Sequence, residues 1–313
     1  RTDNIINNVV FMTLMILLLV FAYRKKYIEK ISAKSLILVL SVWVVAISGL
    51  WIYGTHSVPR ADSRRVLNGI QEQLGGYLQK YQNQIGITAY FEVIFRLLRN
   101  GAVDYRIIRI INIIMIIGIF MIMHLITKEL VRDKESVILE LLLSFGWFPL
   151  MLYAVFVYGS IPGLFFGTLG ILFTLRYLKT EKTGYGIGLA VTFACAMIIK
   201  NNYMIYAMAS AIVLIVNAVS KKRIQNIIFV ILMVVCFSVV SNGIAGYYEK
   251  RADVEIAKGM PASAWIAMGM QEGPLAEGWY NYYNSEVWTE TGFDSVATDE
   301  ISKEYIRTRV KEF

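Results

Sequence analysis

The sequence predicts an all-α integral membrane protein that crosses the bilayer several times. Hydrophobic residues fill 57% of its 313 positions and charged residues only 17%, which is more apolar surface than a water-soluble domain needs for its core. Apolar windows of about 20 residues, the length that crosses the hydrocarbon of a bilayer, recur along the chain. The charges gather between those windows. These observations predict a polytopic helical bundle with about eight transmembrane helices.

Each predicted span is an apolar window bounded by charged residues. In chain order the windows are 5–23, 35–53, 105–127, 136–157, 162–178, 183–199, 203–219 and 224–247. The first window is too long for a cleavable signal peptide and is followed by Arg-Lys-Lys, which holds a span in the membrane. The chain opens at Arg1 and stops at Phe313 within a charged run, a pattern compatible with a segment of a longer protein that has further spans.

Four short loops rich in lysine and arginine predict the orientation. The loops 24–34, 128–134, 176–182 and 221–223 carry five, three, three and three of these residues, and short basic loops stay on the cytoplasmic side. The four basic loops lie on the same side of the membrane only if the weak apolar stretch 85–98 does not cross the membrane. We therefore expect that stretch to be an amphipathic helix in the membrane interface. The basic residues mark topology, so the net charge of +8 does not indicate nucleic acid.

This topology leaves two polar segments on the extracytoplasmic face of the cell membrane, where we expect any chemistry. The predicted domains are a transmembrane domain at 1–247, whose outer loop at 54–104 contains interfacial helices, and an extracytoplasmic loop or tail at 248–313, whose charged end is compatible with truncation. Glycines at 269, 273 and 278 predict irregular loops in this tail. The stretch 298–313 alternates charges at helical spacing and predicts a solvated helix.

Two ionisable residues, His124 and Glu140, lie within predicted spans near their cytoplasmic ends. An ionisable group in hydrocarbon is costly and indicates a function or a partner. Because both lie close to cytoplasmic water, we interpret them as structural. The chain has only two histidines and no Cys/His cluster, so the sequence does not predict a tightly bound zinc site.

Short motifs follow one another at the outer ends of the spans. Asp62 lies about nine residues beyond the second span and is followed by KYQNQIGI, YRIIRIINIIM, VYGSIPG, IIKNNY and, in the tail, WIAMGMQEGPLAEGWYNYYN. In this order they resemble the GT-C glycosyltransferases. That superfamily includes the protein O-mannosyltransferases of family 39 type and the lipid A aminoarabinose transferases, and the similarity is greatest to their Gram-positive bacterial relatives. Gln82 stands where those relatives would have proline, a departure in the local turn.

The resemblance implies a GT-C-like bundle that transfers a sugar, with inversion, from a polyprenyl-phosphate donor to a glycan, lipid or protein of the cell envelope. It implies Asp62 as the general base that takes the proton of the acceptor hydroxyl. Fixed cations stabilise a leaving phosphate, and the expected ones are Lys200, Arg60, Arg106 and Arg109. The expected substrate-binding residues are His56, Gln84, Tyr158, Ser160, Asn201, Gln271, Glu272, Trp279, Tyr280 and Asn281. The resemblance leaves a divalent metal open, and one carboxylate near the first core span favours metal independence.

Simpler alternatives remain open. Asp62 would be a solvated loop charge, Lys200 would snorkel at a span end, and the tail aromatics would form an interfacial belt. Arg106 and Arg109 share one helix face and would pair with headgroup phosphates or with Asp104. For the whole protein, the alternatives are a transporter or lipid flippase for an envelope precursor, or a non-catalytic scaffold. Transporters place polar features at mid-membrane in repeated halves, whereas the polar features of this sequence gather at one surface.

Overall fold

The computed structural model describes residues 9–10, 13–14, 16–18, 20–21, 24, 30–71, 76–131, 133–253, 258–272 and 278–312. Within these residues all regular secondary structure is helical, as predicted. The helices are α1 (Ala33–Thr55), α2 (Ala61–Gln71), α3 (Gly76–Lys80), α4 (Ile85–Arg99), α5 (Tyr105–Leu130), α6 (Lys134–Ser144), α7 (Phe148–Leu152), α8 (Ser160–Thr180), α9 (Thr183–Ile199), α10 (Met204–Lys221), α11 (Gln225–Ala252), α12 (Ala262–Gly269), α13 (Tyr283–Glu290) and α14 (Ser295–Glu312).

The chain groups into two compact units. Unit 1 comprises Arg1–Ser63 and Ile94–Val240, and unit 2 comprises Arg64–Val93 and Ser241–Phe313. The boundary that we predicted at residue 247 is a topological one and stays a prediction.

Five helical segments of the described residues are long and apolar enough to cross a bilayer: α1, α5, α8, α10 with the short 3-10 turn before it, and α11. Helices α6 and α7 form a bent pair that adds a sixth candidate, and α9 is a shorter apolar helix of 17 residues. These segments coincide with the predicted windows from the second to the eighth. The first window, 5–23, lies largely outside the described residues. The polytopic helical bundle is confirmed, while the number of eight spans stays a prediction.

The fourth predicted window is broken, because α6 and α7 meet at an angle of 49°. Pro149 lies in the first turn of α7, where its missing amide hydrogen is tolerated. Backbone carbonyls released by such a break need donors inside hydrocarbon, and α1 supplies them. The indole Nε1 of Trp43 donates to the carbonyl of Phe145 at 3.1 Å, and the hydroxyl of Ser48 donates to the carbonyl of Met151 at 2.8 Å.

The interior of unit 1 contains two apolar clusters. The first joins α1, α5, α6 and α7 and includes Leu40, Val44, Ile116, Ile119, Phe120, Leu141 and Met151. The second joins α8, α9, α10 and α11 and includes Tyr177, Leu189, Phe193, Leu214, Phe229 and Met233. Gly170 of α8 makes room for the Phe193 ring of α9. A Cβ at position 170 would lie 2.6 Å from this ring, so the absence of a side chain lets the two helices pack closely.

The weak apolar stretch 85–98 forms α4, a single helix of 15 residues. At a rise of 1.5 Å per residue it is about 22 Å long, too short for the hydrocarbon core. Its buried face includes Ile87, Phe91 and Phe95, which follow one another at a helical spacing of four residues. The helix and its short length agree with the prediction, and its position in the interface stays a prediction.

His124 and Glu140 lie beside each other in unit 1. Nδ1 of His124 is 3.5 Å from Oε2 of Glu140, within ion-pair range, and Ser144 donates to Oε1 of Glu140 at 3.2 Å. His124 and Glu140 are therefore neighbours, and their structural role stays a prediction.

Unit 2 has its own small core, in which Leu78, Ile85 and Tyr248 are buried. Next to it, the carboxylate of Glu92 is buried and accepts hydrogen bonds from the Tyr248 hydroxyl and from Nη1 of Arg251, each at 2.5 Å. This hydrogen-bonded triad, in which Glu92 and Tyr248 are buried, connects α4 to the end of α11.

The tail is more helical than its glycines predict. Trp265 lies on α12 and Trp288 on α13, so the prediction of irregular loops is wrong at these positions. Gly269 is the last residue of α12, and Gly273 lies outside the described residues. The predicted helix at 298–313 is confirmed by α14.

Candidate active site

The loop between α1 and α2 is bounded by two residues with left-handed backbone conformation, His56 at a φ of 44° and Ala61 at a φ of 47°. Non-glycine residues adopt this conformation at a cost of about 1–3 kcal/mol, and they cluster at functional sites. The second bend places Asp62 in the first turn of α2. Its side chain is exposed and makes no hydrogen bond or ion pair with another described residue. The Asp62 carboxylate is thus accessible to an incoming group.

Arg109 holds this loop from α5. Its Nη2 donates to the carbonyl oxygen of Ser57 at 2.6 Å and to the Ser57 hydroxyl at 3.0 Å, while its Nε donates to the carbonyl of Val155 at 3.2 Å. The guanidinium is buried and lies 4.8 Å from the centre of the Tyr105 ring. Because backbone carbonyls occupy these donors, Arg109 fixes the positions of two loops.

Asn112, about one turn after Arg109 on α5, holds the backbone on either side of Val155. Its amide nitrogen donates to the carbonyls of Ala154 and Phe156 at 3.2 and 3.1 Å. The sequence reasoning missed Asn112. A signal was present, because an amide three residues after Arg109 in an otherwise apolar span lies on the same helix face.

An open cleft of about 470 Å³ lies between α1 and α5. Its apolar walls are built from residues of α1 and α5, and basic side chains lie at the end of the cleft near the N-terminus of α5. The lining residues are Gly49, Ile52, His56, Ser57, Tyr105, Arg106, Arg109, Ile110 and Ile113. The structure therefore brings together three of the predicted site residues, His56, Arg106 and Arg109.

Arg106 pairs with Asp104, as one of our alternatives expected. Its Nε and Nη2 donate to the two carboxylate oxygens at 2.8 and 3.0 Å, and Arg99 lies 3.4 Å from the same carboxylate. The hydrogen bond from Arg106 holds the pKa of Asp104 below its usual range, so this carboxylate stays ionised. The Arg106 side chain remains 73% exposed, so its guanidinium is accessible from the cleft.

Lys200 lies in a second cluster, at the turn between α9 and α10. Its Nζ donates to the Ser160 hydroxyl at 2.8 Å and lies 5.0 Å from the centre of the Tyr158 ring. The Tyr203 hydroxyl donates to the Ser160 carbonyl at 2.5 Å. Burial lowers the pKa of Lys200, and no carboxylate among the described residues pairs with its ammonium. A half-buried cation without a counter-ion is suited to bind an anion.

Residues 155–158 connect the cleft to this second cluster. Val155 accepts the hydrogen bond from Arg109, the rings of Phe156 and Tyr158 lie 5.6 Å apart, and Tyr158 contacts the ammonium of Lys200. A continuous chain of contacts within unit 1 thus joins the predicted cations Arg109 and Lys200.

The remaining predicted residues of unit 1 are Arg60 and Asn201, and the side chains of both are exposed. Neither lines the cleft described above.

The other predicted substrate-binding residues belong to unit 2: Gln84, Gln271, Glu272, Trp279, Tyr280 and Asn281. Asn281 donates to the carbonyl of Met268 at 3.1 Å, and Glu272 pairs with Arg309 at 2.7 Å. Trp279 is 64% exposed. These contacts give Asn281 and Glu272 structural partners and leave Trp279 accessible.

No three His, Cys, Asp or Glu side chains of the described residues group closely enough to hold a metal ion.

The fold and the cleft define a polytopic helical membrane protein with an apolar groove that ends in basic side chains at one surface. The sequence matches the family described as dolichyl-phosphate-mannose-protein mannosyltransferase over residues 87–244, just over half of the chain. The chain belongs to this family and is a membrane glycosyltransferase of GT-C type. The matched region contains Arg106, Arg109, Tyr158, Ser160 and Lys200.

The matched region begins at residue 87, beyond the predicted base Asp62, so it covers only the last part of the predicted outer loop 54–104, and it ends before the C-terminal tail. No curated protein and no solved structure matches the chain.

Proposed function

We propose that the protein transfers a sugar, with inversion, from a polyprenyl-phosphate donor to a hydroxyl group of a cell-envelope acceptor on the extracytoplasmic face. The observation that carries this proposal is the cleft between α1 and α5, whose apolar walls end at basic side chains.

The cleft suits both parts of such a donor. Ile52, Ile110 and Ile113 come from two spans and offer apolar contacts to a lipid chain. Arg106 and His56 at the outer end offer hydrogen bonds to a phosphate, which arginine binds well through its planar fork of donors. Arg109, whose Nε and Nη2 donate to Val155 and Ser57, acts as a positioning residue.

Asp62 is the proposed general base. The acceptor oxygen attacks the anomeric carbon of the donor sugar, the bond from that carbon to the phosphate oxygen breaks, and the lipid phosphate leaves with the bonding electrons. The acceptor hydroxyl proton passes to the Asp62 carboxylate. Because five residues of chain reach at most about 18 Å, Asp62 lies within that distance of Ser57 at the rim of the cleft.

Lys200 is proposed to stabilise the leaving phosphate as negative charge develops on it. The ammonium is held by Ser160 and by the Tyr158 ring, and it has no carboxylate partner among the described residues. A cation fixed in this way needs little reorganisation when the charge appears.

The direction of α5 supports the proposed face. The cleft lies at the N-terminal end of α5, and the basic loop 128–134 follows its C-terminal end. Near that end Glu129 pairs with Arg176 and Lys179 at 3.1 and 2.9 Å. Because basic loops stay cytoplasmic, the cleft is expected to face the other side.

A transport assay and a transfer assay on one sample test the proposal against the flippase alternative. Purified protein is placed in liposomes with a panel of radiolabelled polyprenyl-phosphate sugars and a mixed cell-envelope acceptor fraction. We expect label in a covalent product together with release of unlabelled polyprenyl phosphate. Movement of intact donor across the bilayer without covalent transfer would contradict it and would support a flippase.

A pair of matched variants tests the role of the cleft. Arg106→Gln is expected to raise the KM for the donor severalfold, because it removes a cation from the outer end. The control is Arg307→Gln, which removes an exposed arginine from α14 and is expected to leave KM unchanged. Equal KM values for the two variants would contradict the proposed donor site.

A further inference from the structure

Unit 2 carries five aromatic side chains in a row, which we call the aromatic row: Tyr77, Tyr81, Trp265, Tyr280 and Tyr282. Successive ring centres lie 4.9, 6.1, 6.5 and 4.8 Å apart. The rings come from α3 and the residue after it, from α12, and from the turn before α13. The fold therefore assembles one continuous surface from segments that are up to about two hundred positions apart in the sequence.

Much of this surface faces solvent. Trp265 is 41% exposed, Tyr280 is 42% exposed and Tyr282 is 64% exposed. Neighbouring rings are tilted by 41° to 69°, so each ring packs against the next at an angle along the row. Adjoining exposed aromatic residues are unusual on a folded surface and indicate a binding site.

Hydrogen-bonding groups lie among the rings. The Ser285 hydroxyl accepts a hydrogen bond from Nζ of Lys80 at 3.2 Å and lies 3.3 Å from the Tyr280 hydroxyl. Each tyrosine also adds a hydroxyl at the edge of its apolar ring. The surface thus offers flat apolar faces beside donors and acceptors.

Two cations lie at one end of the aromatic row. The guanidinium of Arg65 is 5.4 Å from the centre of the Tyr77 ring, and Nζ of Lys80 is 5.3 Å from the centre of the Tyr81 ring. Neither pairs with a carboxylate of the described residues. This end of the surface is therefore complementary to negative charge.

The backbone around the row is held in place. The amide of Met260 donates to the carbonyl of Lys80 at 3.2 Å, and a Cβ at Gly259 would lie 3.0 Å from that same oxygen, so a larger residue would be crowded there. Tyr282 has a φ of 70°, a conformation that is costly for a tyrosine and that is retained only where the surroundings enforce it. These contacts keep the rings in fixed relative positions.

We infer that the aromatic row binds a saccharide chain that carries anionic groups. The C–H faces of sugar rings pack on aromatic faces, sugar hydroxyls exchange hydrogen bonds with Ser285 and Tyr280, and a carboxylate or phosphate substituent meets Arg65 and Lys80. Such a chain would be the acceptor, and in that role the inference rests on the proposed glycosyl transfer. Binding itself does not depend on transfer.

A bilayer interface is the competing occupant of exposed aromatic residues. The saccharide is favoured because an ammonium with a hydroxyl partner lies between the rings, and because both neighbouring helices of the tail after Tyr282, α13 and α14, are polar.

The test uses the purified protein in lipid nanodiscs and two probes of equal length: hexagalacturonic acid, and the same hexamer with every carboxylate methyl-esterified. Binding is measured by microscale thermophoresis for wild type, Trp265→Ala, Lys80→Gln and Trp51→Ala. Trp51 is the matched control, because it is a tryptophan of unit 1 with nearly the same exposure, 42% against 41%.

We expect wild type to bind the charged hexamer more tightly than the ester. Trp265→Ala should weaken the charged hexamer at least tenfold, Trp51→Ala should not, and Lys80→Gln should remove the preference for the charged hexamer while leaving the ester unaffected. Equal binding of the two probes by wild type, or unchanged binding by Trp265→Ala, would overturn the inference. Quenching of Trp265 fluorescence by brominated lipids, with no response to either hexamer, would assign the row to the bilayer.

Two further measurements separate this inference from the proposed function. Hexamer binding by a protein that transfers no sugar would leave the inference standing and remove the transferase proposal. Normal transfer by Trp265→Ala, with an unchanged KM for an anionic acceptor, would leave the transferase proposal standing and remove the aromatic row as the acceptor site.

Discussion

Arg109 and Ser57 are joined by a 2.6 Å hydrogen bond from the buried guanidinium to a backbone carbonyl, across 52 positions of sequence. The same guanidinium reaches Val155, so one side chain of α5 holds both the loop that borders the cleft and the segment 155–158. Asp62 follows the loop that contains Ser57. Tyr158, three residues after Val155, contacts the ammonium of Lys200. The geometry of the proposed site thus depends on a residue that we do not expect to touch the reacting atoms.

Arg109→Lys should lower kcat at least tenfold while the KM for the donor changes little. Lysine keeps the charge but lacks the fork that reaches Ser57 and Val155 together, and small displacements of catalytic groups have large effects on rate. Steady-state kinetics of the purified variant measure both constants. Arg106→Lys is the control, and we expect a change mainly in its KM. A kcat equal to that of wild type would contradict the positioning role of Arg109.

The pH profile of donor binding should report the ammonium of Lys200. Burial lowers the pKa of Lys200, so the ammonium is present at low pH and is lost as the pH rises through that lowered value, earlier than for an ordinary lysine. The KM for the donor should therefore rise with pH in wild type and stay flat over the same range in Lys200→Arg. A flat profile in wild type would remove Lys200 from donor binding.

Lys200→Met separates this function from a structural role. A half-buried charge without a carboxylate partner costs stability, so an apolar side chain of similar length should keep or raise Tm at pH 7. Donor affinity should nevertheless fall. A variant with a clearly lower Tm and normal donor affinity would identify Lys200 as a structural residue.

Gly159→Ala should reduce both stability and activity. A Cβ at this position would lie 2.7 Å from the carbonyl oxygen of Ile199, a backbone atom that cannot move aside alone. The strain should cost about 1–3 kcal/mol and displace Lys200. Gly243→Ala is the control: nothing lies within 4 Å of its Cβ, so alanine should be neutral or stabilise α11. Thermal unfolding of the two variants compares them, and equal Tm values would contradict this account.

Glu92→Ala should lower the free energy of unfolding by about 3 kcal/mol, because it leaves Arg251 and Tyr248 without their buried partner. Glu290→Ala, which removes an exposed carboxylate from α13, should stay within about 0.5 kcal/mol of wild type. Unfolding in a titration with denaturing detergent measures the difference. Similar values for both variants would show that the triad contributes little.

The fold was predictable where one physical requirement dominates. Crossing hydrocarbon demands a long apolar run, and windows such as 105–127 and 183–199 therefore match α5 and α9 closely. The break between α6 and α7 was not predictable from hydropathy, because its cost is offset by donors from Trp43 and Ser48 about a hundred positions away. The predicted loops around Trp265 and Trp288 failed for a related reason: packing within unit 2 stabilises short helices there that local glycines disfavour.

The site was predictable as a set of charged residues at one surface, but not as a set of contacts. Spacing placed Arg106 and Arg109 on one helix face. It did not show that Arg106 is exposed and pairs with Asp104, whereas Arg109 is buried and holds two loops. Of the aromatic row, only Tyr280 was among the predicted substrate-binding residues, because Tyr81 and Trp265 meet only in the folded chain. Side-chain partners that are distant in sequence are fixed by tertiary packing, which local patterns do not encode.

The most direct test of the central claim is a single-turnover transfer assay with Asp62→Asn beside Asp253→Asn. Asp253 is an exposed aspartate in a left-handed conformation that asparagine also tolerates, so it controls for the chemical change. With Asp62 as the base, Asp62→Asn should bind the polyprenyl-phosphate donor normally and transfer its sugar at least ~100-fold more slowly, while Asp253→Asn matches wild type. Transfer by Asp62→Asn at the wild-type rate would contradict the account.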